Sequence, residues 1–311
     1  MNGLLDDLVG PFERISPETL ATTLRDDYAL DIRALTRLDT ERDDTFRVDH
    51  TGGVVLVKVA HPSDSPELLA LQDAALAAVA EHDPELPVPR LVPTTSGGAS
   101  ALLDGRIVRV LTWLPGVRAT DRPWRPQVGG AVLGRLSLAL AHLTHPAADR
   151  ILPWDLRRVP GLAPYTDEPL LVDAFARYAA EISPVLDALP RQVVHNDFHP
   201  GNVFVGESGA ISGIVDFGDV VLTPRVCDLG VSLGYLIPDD SPGDAVRAEF
   251  TAGYESVVPL TDEERSLIPG LVVGRELQRI VINEELGRRD GGSHAAPRVR
   301  RLLHRALEDW A

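Results

Sequence analysis

A single lysine lies in the middle of an apolar run of this chain. Lys58 stands within residues 54–60, and it is the one lysine among 30 basic residues, the others being arginines. A charged group inside an apolar segment is costly unless another group pairs with it, and lysine is a compact point charge that suits a phosphate oxygen. The pattern predicts a buried strand that carries a cation into a polar site, although an arginine-rich composition with one incidental lysine would also explain it.

The first third of the chain has the pattern of an antiparallel sheet with helices. β-Rich segments at 46–49 and 54–59 flank the turn residues 50–53, which indicates a β-hairpin. A serine followed by proline begins one helix at Ser16 and another at Ser65. The second helix is predicted to end near His82, and further strands are predicted at 100–103 and 107–111.

Beyond Gly116 the apolar residues recur with the helical period. Helices are predicted at 127–143, at 170–189 and from Thr261 onward. We therefore predict an α+β fold of two lobes. Residues 1–113 would form a small N-terminal lobe with an antiparallel sheet and a helix, and residues 114–311 a larger, mostly helical C-terminal lobe.

A polar string followed by a hairpin is the second informative motif. Residues 195–202 are His-Asn-Asp-Phe-His-Pro-Gly-Asn, and the predicted strands 203–205 and 211–215 follow with a turn between them. Neighbouring antiparallel strands lie about 4.8 Å apart, so Asn202, before the first strand, and Asp216, after the second, would lie side by side. An amide oxygen beside a carboxylate suits Mg²⁺.

Asp197 precedes Asn202 on the same loop. A carboxylate at this place could accept a proton from a nucleophilic hydroxyl or orient it. With Lys58, the sequence then supplies a cation for nucleotide phosphates, two metal ligands and a base at the acceptor. These are the parts that phosphoryl transfer requires.

The charge and composition limit the partners of the protein. The formal net charge of −16 and the pI of about 4.9 argue against nucleic acid or an anionic membrane and are compatible with a cationic substrate. The lone Cys227 excludes an intrachain disulfide framework and is interpreted as a packing residue. Residues 1–7 are acidic rather than basic, and no apolar run reaches about 18 residues, so we expect a cytoplasmic protein without a membrane span.

Residues 195–202, together with Ile-Val-Asp-Phe-Gly-Asp at 214–219, resemble the aminoglycoside phosphotransferase and choline kinase-like family of small-molecule kinases. Other segments resemble its hydroxylysine kinase-like branch: residues 41–46, the strand of Lys58, Gln72 with Ala75 and Leu76, Val88 with Pro89, residues 154–156, and residues 227–229 with Tyr235. The resemblance implies a bilobal protein-kinase-like fold, in which residues 1–113 would be the nucleotide-binding lobe and residues 114–311 would carry the catalytic loop and the acceptor pocket. It also implies Mg²⁺-dependent transfer of the γ-phosphate of ATP or GTP to a hydroxyl of a small amine-bearing molecule, such as a hydroxylated amino acid or an amino alcohol.

The resemblance also implies roles for matching positions. Asp197 would be the catalytic base, and Asn202 and Asp216 would hold Mg²⁺. Lys58 would contact the α- and β-phosphates. The other nucleotide-binding positions would be the carbonyl of Thr112 and the amide of Leu114, which meet the nucleobase, and Gln72.

Two features depart from the family pattern. Gln72 stands where the wider family has a glutamate that neutralises the lysine, with Glu67 about one turn away. No glycine-rich loop precedes Lys58, so residues 39–45 are expected to meet the phosphates.

His195, His199 and Asp228 are not assigned to the transfer of the phosphate. His195 is interpreted as a structural loop residue rather than a metal ligand. His199 stays unassigned. Asp228 is expected to hydrogen-bond the backbone of the loop rather than to touch substrate.

The segment after the Asp-Phe-Gly string indicates the kind of acceptor. Nine residues, 219–227, separate Gly218 from Asp228, which leaves no room for the activation segment of a protein kinase and favours a small-molecule acceptor. Arg275 and Arg279 share a helix face and could bind a substrate carboxylate or pair with acids. Candidate partners for an ammonium group are Asp155, Asp219, Glu276 and Glu284.

Other functions remain open at this point. The acceptor could be an amine-bearing antibiotic, so that phosphorylation inactivates it. A nucleotide-binding pseudokinase is a second alternative, and the complete set of polar residues argues against it. A metal-dependent phosphohydrolase would use His195, Asp197, His199 and Asp216 as ligands, but it would leave Lys58 and Asn202 without a role.

Overall fold

The computed structural model describes residues 4–5, 12–40, 42–236, 244–290 and 297–310. Glu41 and most of the acidic segment 1–7 lie outside the described residues. An antiparallel sheet with two helices forms the N-terminal lobe, and a mostly helical lobe follows. This arrangement confirms the predicted α+β class.

The N-terminal lobe is built on one antiparallel sheet with the strand order β1-β2-β3-β6-β4, and β5 pairs with β6. Its elements are α1 (Pro17–Tyr28), β1 (Ile32–Leu38), β2 (Asp44–His50), β3 (Gly53–Val59), α2 (Pro66–His82), β4 (Leu91–Val92), β5 (Ala101–Leu103) and β6 (Arg106–Thr112). The predicted hairpin corresponds to β2 and β3, whose residues His50 and Gly53 pair at the turn.

Alternation along β3 decides where Lys58 points. Val55, Val57 and Val59 are buried in a core that also contains residues of α1. Because successive strand residues point to opposite faces, Leu56 and Lys58 face the other way. Leu56 packs against the core that includes residues of α2. The lysine is therefore directed to the α2 side of the sheet, away from the α1 core.

The C-terminal lobe carries helices around two small sheets, with the strand orders β10-β9-β7 and β11-β8. Its helices are α3 (Pro126–Leu140), α4 (Pro169–Glu181), α5 (Ser183–Ala188), α6 (Val226–Tyr235), α7 (Asp244–Glu255), α8 (Asp262–Asp290) and α9 (Pro297–Asp309). Its strands are β7 (Val117–Arg118), β8 (Arg191–Val194), β9 (Val203–Val205), β10 (Ile211–Ile214) and β11 (Val221–Pro224). Short 3₁₀ segments occur at Pro146–Ala148, Leu156–Tyr165 and Phe217–Asp219. Within the described ranges, no helix is both long and apolar enough to cross a membrane.

The predicted helix at 170–189 is divided in the structure. α4 ends at Glu181 and α5 begins at Ser183, with Pro184 in its first turn. Proline removes a backbone donor and disfavours helical geometry in the residue before it. The spacing of apolar residues continues through the break, which is why the pattern alone predicted one helix.

The predicted helix starts are confirmed by their caps. The hydroxyl of Ser16 accepts a hydrogen bond from the amide of Thr19, and the hydroxyl of Ser65 accepts one from the amide of Leu68. At the start of α8, the amide of Glu264 donates to the Thr261 hydroxyl and the Glu264 carboxylate accepts from the Thr261 amide. This reciprocal pair is a capping box.

Glycines allow α3 and α7 to pack with their backbones in close approach. A Cβ atom added at Gly130 would lie 1.8 Å from the carbonyl oxygen of Phe250, and one at Gly253 would lie 2.0 Å from that of Gln127. The ring of Phe250 in turn lies 6.3 Å from that of Phe198, inside the polar string. Close packing of the two helices thus supports the loop that carries the predicted site.

We predict that Gly130→Ala destabilises the protein. In an exposed helix, replacing glycine by alanine would raise the free energy of unfolding by about 1 kcal/mol. Here the added methyl group must push α7 away, so we expect a loss of about 1–3 kcal/mol. The measurement is thermal or urea unfolding.

Leu138→Ala provides a control on the same helix, because Leu138 is 50% exposed. It should change the free energy of unfolding by less than about 0.5 kcal/mol. A Gly130→Ala variant as stable as the wild type would show that the two backbones are not in contact.

Candidate active site

The hairpin after the polar string brings two predicted metal ligands to the same place. β9 and β10 pair with Val203 opposite Ile214, and the amide of Val215 donates to the carbonyl of Asn202 at 3.0 Å. Asp216 follows at once, with a left-handed φ of 68°, and its carboxylate accepts from the amide of Gly218 at 3.3 Å. Asn202 and Asp216 therefore lie at adjacent ends of the paired strands β9 and β10, as the spacing predicts.

Asn202 also holds Asp197. The amide nitrogen Nδ2 of Asn202 donates to Oδ2 of Asp197 at 2.7 Å and to its backbone carbonyl at 3.1 Å. These two bonds turn the amide oxygen of Asn202 away from Asp197. That oxygen and the exposed carboxylate of Asp216 are hard donors of the kind that Mg²⁺ prefers.

Asp197 is held from its other side by Arg275. Nη2 of Arg275, on α8, lies 2.9 Å from Oδ1 of Asp197, and Nε2 of His199 lies 3.5 Å from Oδ2. Burial raises the pKa of Asp197, but the hydrogen bond from His199 and the charge of Arg275 outweigh burial and hold this pKa below its ordinary value. The carboxylate is thus ionised at neutral pH and able to accept a proton.

The sequence left two roles open for Arg275 and Arg279, binding a substrate carboxylate or pairing with nearby acids. Arg279 pairs with Glu276, one of those acids, and Arg275 pairs with Asp197, which was not among them. The sequence carries no local signal for the pair of Arg275 and Asp197, because 78 residues separate the two partners.

The guanidinium of Arg275 lies 4.6 Å from the ring of Trp154 and 5.3 Å from that of Tyr235. The ring of His199 stacks on Tyr235 at 4.2 Å.

Helix α6 fixes the backbone of the loop. The buried carboxylate of Asp228 accepts hydrogen bonds from the amides of Asn196, at 2.8 Å, and His195, at 3.2 Å. The hydroxyl of Ser232 donates to the carbonyl of Phe198 at 2.7 Å. The predicted role of Asp228 is confirmed. Burial of this carboxyl raises its pKa to about 7, although the two amide donors act in the opposite direction.

His195 is a structural residue of the loop. It is fully buried, its ring lies 4.7 Å from that of Phe217, and its Nδ1 accepts from the amide of Asp197 at 3.2 Å. Across the described part of the chain, no group of three or more histidine, cysteine or acidic residues is arranged to hold a metal ion.

Lys58 faces this loop from the N-terminal lobe. Burial alone would lower the pKa of Lys58, but the carboxylates of Asp43 and Asp216 outweigh burial and raise it. Asp216, a predicted metal ligand, is thus one of the two carboxylates whose charge favours the protonated lysine. The lysine is held by Asp43, whose Oδ2 lies 2.6 Å from Nζ.

Gln72 does not occupy the place beside Lys58 that the sequence suggested. Its Oε1 accepts from Nη2 of Arg109 at 2.8 Å, and Nη1 of the same arginine binds Asp73 at 2.8 Å. The physical reason is the register of the sheet, in which Arg109 of β6 lies directly opposite Lys58 of β3. The guanidinium reaches α2 and engages its polar residues.

The connector between the lobes lies against the hairpin. Thr112 ends β6, and its amide and hydroxyl are both bonded to the backbone of Arg90. Leu114 lies two residues further, and a Cβ atom at Gly213 of β10 would be 3.2 Å from its side chain. Leu114 is therefore next to the strand that leads to Asp216, and Thr112 lies two residues before Leu114 at the end of β6.

Three of the four acids suggested for an ammonium group are engaged elsewhere. Asp155 is buried and bonded to Thr223 and Arg157, Glu276 is buried against Arg279, and Glu284 pairs with Arg300. These three carboxylates stabilise the fold rather than offering a free charge to a ligand.

Asp219 is the fourth suggested acid. Arg150 donates to the carbonyls of Gly218 and Val220, on both sides of it, at 2.6 and 3.1 Å. Among the described residues its own carboxylate makes no ion pair within 4.0 Å. Burial, followed by the charge of Asp197, raises the pKa of Asp219 to about 7. The charges of Arg150 and Arg275 act in the opposite direction on this pKa. A carboxylate without a direct ion pair among the described residues is suited to a positively charged ligand.

Comparison with known proteins bears on this geometry. The profile of the family described as "Phosphotransferase enzyme family" matches residues 34–267. The chain is 26% identical to the hydroxylysine kinase of Danio rerio, over 82% of this chain and 79% of the relative. It is 33% identical to the homoserine kinase of Gluconacetobacter diazotrophicus, over 74% of this chain and 73% of the relative.

Solved structures share the fold. An amicoumacin kinase in complex with AMP-PNP, Ca²⁺ and its ligand superposes with a TM-score of 0.74 at 16% identity, covering 96% of this chain and 93% of the other. A microcompartment-associated aminopropanol kinase gives a TM-score of 0.71 at 18% identity, covering 93% and 94%. Since the family profile spans most of the chain and its relatives are kinases, this protein belongs to the aminoglycoside phosphotransferase-type phosphotransferase enzyme family and is a small-molecule kinase.

Proposed function

We propose that the protein uses Mg²⁺ and ATP or GTP to phosphorylate a hydroxyl group of a small amine-bearing molecule, such as a hydroxylated amino acid or an amino alcohol. The observation that supports this most strongly is the arrangement around Asp197. Its carboxylate is bonded by Asn202 at 2.7 Å and by Arg275 at 2.9 Å, and the carbonyl of the same Asn202 is bonded by the amide of Val215, the residue before Asp216.

The donor set fits a magnesium ion. Asn202 offers an amide oxygen, and Asp216 offers a carboxylate that is exposed to solvent. Mg²⁺ is commonly held by one or two such oxygens together with water and phosphate oxygens. When bound there, the metal would supply positive charge to neutralise the nucleotide phosphates.

Different residues of the chain have different roles in the transfer of the phosphoryl group. Lys58, on the N-terminal lobe, contributes a positive charge that binds the α- and β-phosphates. Asp197 orients the acceptor hydroxyl and takes its proton as the oxygen attacks the γ-phosphate. Arg275 and Asn202 fix both oxygens of Asp197, so that the base is positioned before the acceptor arrives.

Asp219 is proposed to bind the ammonium group of the acceptor. It lies on the segment after Asp216, it is held by Arg150, and its charge interacts with that of Asp197. The names of the similar proteins agree with such an acceptor, since hydroxylysine, homoserine and aminopropanol each carry both an amine and a hydroxyl group. An antibiotic with the same groups is a second candidate, favoured by the similarity of the fold to an amicoumacin kinase.

The function is tested by a coupled nucleotide-turnover assay with Mg²⁺. ATP and GTP are supplied separately against hydroxylysine, homoserine, ethanolamine, choline and several aminoglycosides. We expect turnover that depends on an amine-bearing acceptor. Turnover with none of them, by a protein that binds nucleotide, would favour the pseudokinase alternative, and failure to bind nucleotide would refute the proposal.

Asp197→Asn is expected to lower kcat by a factor of about 10²–10⁴, because the amide cannot accept the proton. Asparagine keeps the shape of the side chain and is preferred to alanine, which would leave the buried Arg275 without a partner. Nucleotide affinity is the control and should stay close to wild type. Thermal stability should fall, because the buried Arg275 loses its counter-charge, so kcat is measured well below the unfolding temperature of the variant. Retention of wild-type kcat would remove Asp197 from the role of base.

Asp219→Asn is expected to raise KM for the acceptor by about tenfold or more, because a hydrogen bond to a charged group is lost. The KM for the nucleotide should change little. Glu284→Gln is the matched control, since its carboxylate already pairs with Arg300, and it should leave both KM values unchanged. Equal effects of the two substitutions on the acceptor would show that Asp219 does not bind it.

A further inference from the structure

Two cations lie side by side on the face of the sheet that meets α2. Lys58 of β3 and Arg109 of β6 are register partners, so their side chains leave the sheet on the same face. Like charges directly opposite each other destabilise a sheet. Each cation therefore needs its own anion nearby.

The two anions come from different elements. Asp73, on α2, lies 2.8 Å from Nη1 of Arg109, and Gln72 bonds the same guanidinium. Asp43, on the turn before β2, lies 2.6 Å from Nζ of Lys58. The polar residues of α2 thus bind Arg109, and the carboxylate that pairs with Lys58 comes from the turn.

Asp43 is held firmly enough to direct its partner. Its backbone carbonyl accepts from the hydroxyl of Thr40 at 2.8 Å and from Nη1 of Arg14 at 3.1 Å. The next residue, Asp44, is paired with Val59 in the sheet, and Thr45 is paired with Lys58 itself. The side chain of Asp43 is 9% exposed. The carboxylate therefore has little freedom to leave the lysine.

In protein kinases, the corresponding lysine is paired with a glutamate of the neighbouring helix, and movement of that helix controls activity. We propose that in this protein Asp43 positions Lys58 for the nucleotide phosphates, in place of any carboxylate of α2. The inference rests on the proposed function, in which Lys58 meets those phosphates. According to this proposal, the orientation of Lys58 is set by the turn at residues 39–45, which is also expected to bind the phosphates. The position of α2 would not affect it.

The test measures nucleotide affinity with Mg²⁺ and without any acceptor, by calorimetric titration with ATP and with GTP. Asp43→Asn keeps the shape of the side chain and removes its charge, and we expect Kd to rise by about tenfold. Asp73→Asn makes the same chemical change on α2. It should leave Kd within about twofold, because Asp73 pairs with Arg109 and not with Lys58.

A double-mutant cycle separates positioning from general damage to the fold. In the Lys58→Met background, Asp43→Asn should have no further effect on Kd, because its partner is already absent. Asp43→Glu, which restores the charge, should recover part of the affinity. Thermal unfolding of each variant shows that the protein titrated is folded.

Several outcomes would overturn the inference. An unchanged Kd for Asp43→Asn, an equal loss for Asp73→Asn, or an effect that persists without Lys58 would each contradict it. Tighter binding by Asp43→Asn would also contradict it, since the carboxylate would then compete with the phosphates for the lysine. A wild-type protein that binds neither nucleotide would refute the proposed function itself, and this inference with it.

Discussion

The rest of the site depends on the hydrogen bonds that hold the carboxylate of Asp197. One oxygen is bonded by Arg275 from α8 and the other by Asn202 from the same loop. Asp228 of α6 fixes the loop through two backbone amides. Elements that lie far apart in the sequence thus define the position and the charge of a single carboxylate.

Burying Arg275 has an energetic cost that the site must offset. Its side chain is 2% exposed, and its Nε and Nη1 make no hydrogen bond within the part of the chain that is described. A buried charge without a partner is strongly destabilising. The pair with Asp197, the hydroxyl of Tyr235 and the ring of Trp154 compensate for the lost hydration. The fold therefore gains from keeping Asp197 ionised, which is also the state that a base requires.

Local patterns of the sequence predicted much of this arrangement, because they depend on neighbouring residues. The strand spacing after the polar string placed Asn202 beside Asp216, and the serine and threonine caps located the starts of three helices. The edge strand β1 was missed, since it alternates poorly between buried and exposed positions. The break at Pro184 was missed because the apolar period runs through it.

Contacts across long stretches of chain could not be predicted in the same way. Arg275 lies 78 residues from Asp197, and only the folded helix α8 brings them together. The partner of Lys58 was expected on α2. The register of the sheet places Arg109 opposite Lys58, so that Arg109 binds the polar residues of α2 and Lys58 pairs with Asp43 on the turn. Local motifs were enough to propose the polar residues of the site, whereas their partners depended on tertiary packing.

The central claim is that the carboxylate of Asp197 directs a phosphoryl group to a hydroxyl oxygen of an amine-bearing acceptor. The most direct measurement is ³¹P NMR of the products formed from nucleotide, Mg²⁺ and hydroxylysine or homoserine. The account predicts a phosphate monoester on the hydroxyl oxygen, formed at a rate that depends on the acceptor. Inorganic phosphate alone, released at the same rate with and without acceptor, would contradict it.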